Sequence, residues 1–510
     1  MHTVAIALGS NLGDRFRNIE LALRLLEIPQ QLLSSDGQEE SDERGEVKAE
    51  EDSPLELTAT VSVVNTSFLY ETAPMYVTDQ PSFINCACLV ETNLPPTTML
   101  RLLKKIEMIV GRVPSIRFGP RAVDLDLVLY DQQVLDTREL VIPHPRLVER
   151  EFVLRPLNDM IPDYIHPIHH KSLRSLLKKT LTYWTYPNTS HSSAPTHTGN
   201  SHGKLNVHHH PKHKSTYLMS TLNATPDSFS DGLTHNTLPT ALSYARESVS
   251  AGAAIIDIGG YSTRPGAAFV GVQEEIDRVV PVVQAIRLAA AEESEKLRHV
   301  LISVDTFRWE VAEAAVRAGA NCINDVYAFT GPEYFLERVA REYATPCVLM
   351  HSRGEAGQNK GYKAMYGYAG LRGAVVEGVR VELGQKVNAV VRGRGGVRRW
   401  LVVADPGVGF SKTVEGNLEV LRDAKGVCSG DKKYRNPLAG YPFLIGTSRK
   451  SYIGGVLAQG PGGRETVPTE RVWATAAGVA CAVQQGALVV RVHDTREMAD
   501  VVRMADALWG

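Results

Sequence analysis

Apolar and polar positions follow one pattern over residues 1–180 and another after the segment 186–215. In the first part, runs such as VAIALGS and SFINCACLVET have the period of two that is typical of β-strands. The run PPTTMLRLLKKIEMIVGR predicts a helix, because it begins with proline, which favours a first helical turn. The order of these elements predicts an α+β domain over residues 1–180, with a ferredoxin-like antiparallel sheet covered by helices.

The second part, residues 216–510, repeats a strand, a polar loop and a helix eight times. Each strand is a short continuous apolar run, as expected for parallel strands that are buried on both faces. The runs end in the words LNATPDS, IGGYSTRPG, SVDTF, INDVYA, LMHSRG, ADPGVGF, IGTSRK and RVHD. This pattern predicts a (β/α)8 TIM barrel, whose site lies at the C-terminal ends of the strands.

Two segments lack a hydrophobic period. Residues 34–54 are acidic and polar, which predicts a disordered insertion. Residues 186–215 are rich in Ser, Thr, Pro and His, which predicts a linker between two domains. The seven histidines of this linker allow a metal-binding interpretation, but no cysteine or carboxylate accompanies them, so a plain linker is favoured.

Composition then narrows the function classes. The chain has 43% hydrophobic and 22% charged residues and a net charge of -2, so no global field favours a nucleic acid or a membrane. No apolar run is long enough to span a bilayer. The six cysteines form no C-x-x-C pair, which indicates a reducing compartment. No targeting segment is visible, and we expect a cytoplasmic or mitochondrial protein.

A pair of carboxylates, Asp124 and Asp126, lies in the strand-like run AVDLDLVLYD, where a period of two places them on one face. Such carboxylates repel each other unless a cation lies between them, and Mg²⁺ carried in with phosphates is the natural candidate. A lone D-x-D is a weak signal, but cationic residues that suit phosphate oxygens surround this one. They are Arg112, Arg117, Arg121, His144 and Arg150. A P-loop is not present in the sequence.

The words GSNLGDR, YETAPMYVTDQPSFINCA, FGPRAVDLDLVLYD and PHPRLVEREFVLRPL make residues 1–180 similar to 6-hydroxymethyl-7,8-dihydropterin pyrophosphokinase, a diphosphokinase. The resemblance implies transfer of pyrophosphate from ATP to the pterin, with Mg²⁺ as cofactor. It implies catalytic roles for Arg112, Arg121, Asp124 and Asp126, with the two aspartates as metal ligands. The residues that it implies for ATP binding are Glu107, Arg112, Arg117, Arg121, His144 and Arg150. Those that it implies for pterin binding are Phe83, Asn85 and Phe152. Two departures are Phe83, where many members have Tyr, and Pro114 in a short loop.

The words LNATPDSFSDG, GGYSTRPGA, SVDTF, INDV, LMHSRG, DPGVGFSK, GTSRKS and RVHD make residues 216–510 similar to dihydropteroate synthase. Every word falls on a predicted strand end. The resemblance implies condensation of the pterin ester with p-aminobenzoate. Tyr261 departs from the family, where an acidic residue is common.

The expected roles in the second half follow from that resemblance and from the chemistry of the strand ends. A pterin presents a donor edge that buried carboxylates and amides satisfy. The residues for the pterin are Asp305, Asn324, Asp405 and Lys450. Those for pyrophosphate and p-aminobenzoate are Asn223, Thr263, Arg264, Pro265, Phe410, Ser448, Arg449, Arg491 and His493. Among these groups, Asn223 is expected as a Mg²⁺ ligand, and Lys450 and Arg491 as catalytic residues. Phe229 and Asp231 are expected on a mobile loop.

The sequence therefore predicts a bifunctional enzyme of folate biosynthesis. Its expected partners are small molecules and, through the barrel, a second copy of the chain, as the resemblance implies. A pterin-dependent methyltransferase barrel is an alternative that shares the VDT- and IND-like strand ends, but the SRK and RVHD words argue against it. A pterin-binding protein with one inactive site is a second alternative, which titration calorimetry beside turnover assays would distinguish.

Overall fold

The computed structural model divides into two compact units, which comprise Met1–His210 with Val391–Trp400, and Pro211–Val390 with Leu401–Gly510. It describes residues 1–34, 58–75, 77–112, 119–185, 206–207, 215–224, 238–262, 268–292, 297, 300–331, 335–354, 358–368, 373–430 and 436–509. Nearly all of the predicted insertion 34–54 and most of the predicted linker 186–215 lie outside these residues. No helix in the described ranges is both long and apolar enough to cross a membrane.

The first unit is built on an antiparallel sheet. Its strands are β1 (His2–Ser10), β2 (Val61–Thr66), β3 (Tyr70–Thr72), β4 (Phe83–Thr92), β5 (Asp124–Tyr130), β6 (Leu135–Asp136), β7 (Val141–Ile142) and β8 (Asn206–Val207). Its helices are α1 (Arg15–Leu26), α2 (Pro29–Leu33), α3 (Pro96–Val110), α4 (Glu151–Met160) and α5 (Leu173–Thr185), with a 3-10 turn at Leu147–Glu149. The strand order is β5-β1-β4-β3-β8, with β2 also paired to β4, and β6 and β7 form a separate pair.

The central strand β1 shows why this unit has two helical layers. Val4, Ile6 and Leu8 belong to the cluster that contains the apolar residues of α1 and α3. Ala5 and Ala7 belong to a second cluster, with the apolar residues of α4 and α5. The period of two along β1 therefore buries both faces of the sheet, and the predicted sheet covered by helices is confirmed.

The segment Val391–Trp400 belongs to the first unit although it lies far along the chain. The Arg399 side chain donates from Nε to the Thr66 carbonyl at 2.8 Å and from Nη2 to Asn65 Oδ1 at 3.1 Å. The Arg399 amide donates to Thr66 Oγ1, and the Gly393 amide donates to the carbonyl of Val64. The segment thus runs along β2 and occupies backbone groups that an edge strand would otherwise expose.

A second arginine of this segment is buried with acidic partners. Only 2% of the Arg398 side chain is exposed, and its nitrogens lie 3.6 Å from Glu20 Oε2 and 3.7 Å from Glu27 Oε2. Glu20 and Glu27 lie within α1 and at its C-terminal cap. A buried guanidinium is tolerated only when carboxylates compensate its charge, so α1 and this segment depend on each other.

The second unit is an eight-stranded parallel barrel. Its strands are β9 (Tyr217–Asn223), β10 (Ile255–Gly259), β11 (Leu301–Asp305), β12 (Cys322–Asp325), β13 (Cys347–Met350), β14 (Val402–Asp405), β15 (Leu444–Ile445) and β16 (Val489–Val492). Its helices are α6 (Leu238–Ala251), α7 (Val272–Glu292), α8 (Trp309–Arg317), α9 (Phe335–Glu342), α10 (Lys363–Tyr366), α11 (Ala374–Val391), α12 (Val414–Arg422), α13 (Ala424–Cys428), α14 (Ser451–Leu457), α15 (Val472–Gln484) and α16 (Thr495–Trp509). Two 3-10 turns lie at Arg399–Leu401 and Pro468–Arg471.

The order of the barrel strands is β14-β13-β12-β11-β10-β9-β16-β15. A parallel bridge between Ala404 and Phe443 joins the two ends of this order, so the sheet closes on itself. Met219, Ile255, Val348, Leu444 and Val489 form one buried apolar cluster on five of the strands. The predicted TIM barrel is confirmed, and each of the eight predicted words begins within the C-terminal part of one of its strands.

Removal of the Arg399 side chain should destabilise the first unit. Arg399→Ala leaves the Thr66 carbonyl and Asn65 Oδ1 without a charged donor, which costs about 1.5–3 kcal/mol. Hydrogen exchange at the β2 amides during urea titration measures this loss. The control is Arg394→Ala in the same segment, since Arg394 is exposed and pairs with Glu91 at 3.4 Å. It should change stability by less than about 0.5 kcal/mol, and equal losses in both variants would contradict the prediction.

Candidate active sites

The first candidate site is a cleft in the first unit that lies beside β5. Residues of β1, β4, β5 and the start of α4 line it, together with Thr72, Ala73, Met75, Gln80, Arg121 and Arg150. Asp124 and Asp126 point into it from alternate positions of β5, and Gly9 pairs with Asp124 in the neighbouring strand. A side chain at position 9 would place its Cβ 2.7 Å from Asn85 Oδ1, so glycine leaves room for Asn85.

Guanidinium groups neutralise both carboxylates of the cleft. Arg112 Nη1 lies 3.1 Å from Asp124 Oδ1, and Arg121 Nη1 lies 2.9 Å from Asp124 Oδ2. Arg150 Nη1 lies 3.3 Å from Asp126 Oδ2. The structure therefore brings together the carboxylate pair and three of the cationic residues that the sequence assigned to phosphate.

Glu107 lies beneath the cleft and is almost completely buried, with 1% of its surface exposed. Its Oε1 accepts from the Leu125 amide at 2.8 Å and from Lys104 Nζ at 2.9 Å, and its Oε2 accepts from Arg112. This carboxylate joins α3 to β5 and orients Arg112. Its predicted place beside the nucleotide stays a prediction, and the contacts show a supporting position.

The imidazole of His144 follows the short strand β7. Burial lowers its pKa, against the opposing effect of Asp126, and Arg150 lowers it further. Its Nδ1 accepts from the Arg146 amide at 3.1 Å. A neutral His144 can donate from Nε2 to an anionic oxygen without the desolvation cost of a full charge. Arg117, also assigned to ATP, lies outside the described residues.

The aromatic residues assigned to the first pterin site line the same cleft. Phe83 and Phe152 come from β4 and α4, and the Arg150 guanidinium lies 5.6 Å from the centre of the Phe152 ring. Asn85 is buried, and its Nδ2 donates to Thr72 Oγ1 at 2.7 Å. The cleft thus combines two aromatic side chains and an oriented amide with charged groups.

The donor set of the cleft suits a magnesium ion that arrives with phosphates. Within the described ranges, no group of three or more Asp, Glu, His or Cys side chains could hold a metal. Mg²⁺ is commonly bound by one or two carboxylates together with substrate phosphate oxygens. Asp124 and Asp126 provide the protein part of such a set, so a resident ion is not required.

The second candidate site lies at the C-terminal ends of the barrel strands. Arg491 Nε lies 2.6 Å from Asp257 Oδ2, and Arg491 Nη2 lies 2.7 Å from Asp305 Oδ2. Asn324 Nδ2 donates to the same oxygen of Asp257 at 3.1 Å. Side chains from β10, β11, β12 and β16 therefore form one continuous network, as the predicted strand ends require.

The ionisation of this network is set by burial and by its internal charges. Burial raises the pKa of Asp305 to about 7, although Arg491 acts in the opposite direction. Burial disfavours the charge of Arg491, but Asp257 and Asp305 outweigh it and raise its pKa. Burial also raises the pKa of Asp405, against Lys450, and lowers the pKa of Lys450 to about 8.

Lys450 lies across the loop that follows β14. Its Nζ donates to the carbonyl of Val408 and lies 4.9 Å from the centre of the Phe410 ring. Gly409 has a φ of +88°, and a Cβ there would lie 2.4 Å from Lys450 Cδ. Glycine is therefore required both for the backbone conformation and for the approach of the lysine.

Each half of the chain matches a known protein family, and the whole chain matches known proteins. Residues 219–493 match the family model of pterin binding enzymes, and residues 5–162 match the model of 7,8-dihydro-6-hydroxymethylpterin-pyrophosphokinase. The chain is 35% identical to "Folate synthesis bifunctional protein" of Arabidopsis thaliana, over 99% of its own length and 96% of that relative. The chain belongs to the family of bifunctional folate synthesis proteins.

Two further likenesses concern length and fold. "Folic acid synthesis protein fol1" of Pneumocystis carinii is 35% identical over 99% of this chain, but the chain spans only 60% of the length of that fungal relative. A crystal structure of a Plasmodium falciparum HPPK-DHPS triple mutant with pteroate is 20% identical, with a TM-score of 0.71 over 99% of this chain and 95% of that one. This second likeness shows a shared fold.

The residues assigned to the pyrophosphate end of the barrel are only partly described. Ser448 Oγ accepts from the His493 amide at 3.2 Å and lies 3.1 Å from His493 Nδ1. Arg449 Nε donates to Asp494 Oδ2 at 3.0 Å, so an acidic neighbour holds its guanidinium. Asn223 ends β9, in register with Gly259. Thr263, Arg264 and Pro265, and the loop residues Phe229 and Asp231, lie outside the described residues.

The contacts of Tyr261 give a physical account of its departure from the family. Its ring lies edge-on to Phe307, with centres 5.4 Å apart, and the Arg308 guanidinium lies 5.0 Å from its centre. Arg308 Nη1 takes its anionic partner from α7, where Glu275 Oε2 lies 2.7 Å away. The arginine is thus compensated without an acidic residue at position 261.

Asp257 is the functional residue that the sequence interpretation missed. It is fully buried in β10 and accepts from both Arg491 and Asn324. A carboxylate inside the continuous apolar run IIDIG was the available signal, because an acid is buried there only with a partner.

Removal of Arg491 should shift the titration of Asp305. Since the guanidinium lowers the Asp305 pKa against burial, Arg491→Met should raise that pKa above about 7. Carbon NMR of labelled aspartate carboxyl groups over a pH titration measures the change. Arg496→Met, an exposed arginine of α16, is the control and should leave Asp305 unchanged. A lower or equal Asp305 pKa in Arg491→Met would rule out the assigned ion pair.

Proposed function

We propose that this protein catalyses two consecutive steps of folate biosynthesis. The first transfers the pyrophosphoryl group of ATP to 6-hydroxymethyl-7,8-dihydropterin, and the second condenses the resulting ester with p-aminobenzoate to give 7,8-dihydropteroate. The observation that carries the proposal is the pairing of two separate sites on one chain. Each site combines side chains that suit a pterin ring or its polar edge with arginines that form ion pairs with carboxylates.

In the first step, Phe83 and Phe152 stack on the pterin ring and Asn85 bonds its edge. Asp124 and Asp126 would hold Mg²⁺ on the ATP phosphates, where the ion would supply neutralisation of charge and alignment of the transferred group. Arg112, Arg121 and Arg150 exchange their carboxylate partners for phosphate oxygens when ATP binds, with Arg117 and His144 as further contacts. Positioning and charge neutralisation supply most of the catalysis in such transfers.

In the second step, Asp305, Asn324 and Asp405 accept the donor edge of the pterin, and Lys450 bonds a ring oxygen or nitrogen. Arg491 and His493, with Asn223, Arg264 and Arg449, hold the pyrophosphate as it leaves the pterin methylene. The amine of p-aminobenzoate, packed by Phe410 and Pro265, then attacks that carbon. No protein nucleophile is required, because the ring stabilises the developing cation.

Single substitutions should separate the two reactions. Asp124→Ala removes one metal ligand and the partner of two arginines, so pyrophosphoryl transfer should fall at least about 10³-fold. Formation of dihydropteroate from supplied ester should remain. The reciprocal control, Lys450→Ala, should cripple only the second reaction.

The measurement is a coupled assay from hydroxymethyl-dihydropterin, ATP and p-aminobenzoate, with each half also assayed alone. Loss of both activities in either variant would refute two independent sites. Titration calorimetry with each substrate distinguishes an inactive binding site, which would bind ligand without turnover.

The barrel offers an apolar surface for a second copy of the chain. Trp473 of α15 is 85% exposed, and Met504, Leu508 and Trp509 of α16 are also exposed. The two helices pack against each other, and exposed apolar surface of this kind marks an association site. We assign it to a homodimer.

Trp473→Glu should therefore shift the protein from dimer to monomer, because it places a charge in the apolar contact. Sedimentation velocity over a concentration series measures the shift, with the exposed Phe269→Glu of the same unit as control. An unchanged sedimentation coefficient in Trp473→Glu would remove this surface from the interface.

A further inference from the structure

A buried group of charged side chains lies next to the second site and has no role in the reaction described above. Lys412 precedes α12, His351 follows β13, and Glu382 lies on α11. His351 is completely buried and Lys412 is 4% exposed. Burial of this much charge is costly unless each group is paired and fixed in place.

The Lys412 ammonium lies beneath the loop Gly407–Phe410. Its Nζ donates to the Gly407 carbonyl at 2.8 Å and to the Phe410 carbonyl at 3.0 Å, and lies 3.1 Å from His351 Nδ1. Burial lowers the pKa of Lys412 to about 7, and the Asp405 carboxylate acts in the opposite direction. The ammonium form has three donors, and these three contacts use all of them.

The Glu382 carboxylate fixes the tautomer of His351. Because a carboxylate only accepts, the ring proton is on Nε2, which lies 2.8 Å from Glu382 Oε2 and donates to it, and Nδ1 is left to accept from Lys412. The state is consistent with the burial that lowers the pKa of His351 to about 3. Glu382, a neutral imidazole and Lys412 thus form a chain of hydrogen bonds that ends at two loop carbonyls.

The far end of this chain is held rigidly. The Glu382 carboxylate also accepts from Arg353 Nε at 2.8 Å and from the Tyr366 hydroxyl at 2.9 Å. Burial opposes its ionisation, but the hydrogen bonds from Arg353 and His351 outweigh it, so its pKa lies below the usual range. The anchor is therefore a carboxylate with fixed geometry.

The loop that the ammonium holds bears directly on the second site. Lys450 bonds the Val408 carbonyl and lies over the Phe410 ring, so it contacts the same loop whose Gly407 and Phe410 carbonyls Lys412 holds. Gly407 has a φ of +69°, and a Cβ there would lie 2.0 Å from the His351 carbonyl, so the loop has little freedom to move toward this network.

We propose that Lys412 and His351 are positioning residues that fix the Gly407–Phe410 loop, and with it Phe410 and Lys450, for the binding of p-aminobenzoate. The inference rests on the proposed function of the second unit. Asp257, Asp305, Asn324 and Arg491 lie on other strands, whereas Asp405 and Lys450, also assigned to the pterin, contact this loop. Losing Lys412 should therefore affect the pterin ester to some extent, and p-aminobenzoate more, because Phe410 belongs to the loop itself.

The test compares the KM for each substrate with kcat in Lys412→Met. The KM for p-aminobenzoate should rise about tenfold or more, the effect of losing about 1.4 kcal/mol of binding, while the KM for the pterin ester changes less than about threefold. Lys386→Met is the matched control, since Lys386 also donates to backbone carbonyls, those of Ser352 and Tyr327, but not to this loop. Its KM for p-aminobenzoate should stay near that of the parent.

Two variants of His351 separate the halves of the hydrogen-bond chain. His351→Asn places an amide oxygen near Nδ1 and keeps the contact with Lys412, whereas His351→Gln reaches the Nε2 position and keeps only the contact with Glu382. The proposal predicts a raised KM for p-aminobenzoate in His351→Gln and a smaller change in His351→Asn. If the two are equal, or if Lys386→Met matches Lys412→Met, the proposal is wrong. This comparison also decides the matter if Lys412→Met fails to fold.

A measurement without turnover separates failure of this inference from failure of the proposed function. Hydrogen exchange at the amides of Gly409 and Phe410 should accelerate at least about tenfold in Lys412→Met and stay unchanged in Lys386→Met. Unchanged exchange in Lys412→Met would overturn the positioning role. A parent protein that forms no dihydropteroate, yet shows this exchange difference, would contradict the proposed function and leave the positioning of the loop intact.

Discussion

The charge of Arg491 can exist inside the barrel only because Asp257 and Asp305 lie within hydrogen-bond distance of it. An isolated guanidinium in this environment would cost several kcal/mol. Once it is compensated, the same ion network positions Asn324 and sets the direction in which Asp305 titrates. The rest of the strand ends, including the glycine-rich loop beneath Lys450, are arranged around this compensated charge.

Both units pair the arginines of their candidate sites with carboxylates, although their folds differ. In the first unit, Arg112 and Arg121 neutralise Asp124 before any phosphate arrives, and Glu107 holds Arg112 from below. In the barrel, the carboxylates hold the arginine. Each site therefore keeps its charges close together and paired. Under the proposed function, an anionic substrate would replace an existing partner and would not meet an unpaired charge.

The sequence predicted the strand ends of the barrel because parallel strands buried on both faces are continuous apolar runs, and polar residues such as Asp305 and Asn324 stand out where they end. It did not predict Asp257, whose carboxylate lies among apolar neighbours, or Lys412, whose ammonium donates to backbone carbonyls of the Gly407–Phe410 loop. In the first unit it located Glu107 but not its partners, since contacts between α3 and β5 depend on tertiary packing. The role of Val391–Trp400 in the first unit was also not predictable, because no local pattern marks a segment whose partners are more than three hundred residues away.

The position of Val391–Trp400 in the chain means that part of the first unit is synthesised late. A ribosome releases the chain from its N-terminus, and domains commonly fold as soon as their residues emerge. Here α1, β2 and their buried acids are complete early, but Arg398 and Arg399 are synthesised only after β9 to β13. Glu20 and Glu27 therefore lack their guanidinium partner until residue 398 has been synthesised, after five of the eight barrel strands.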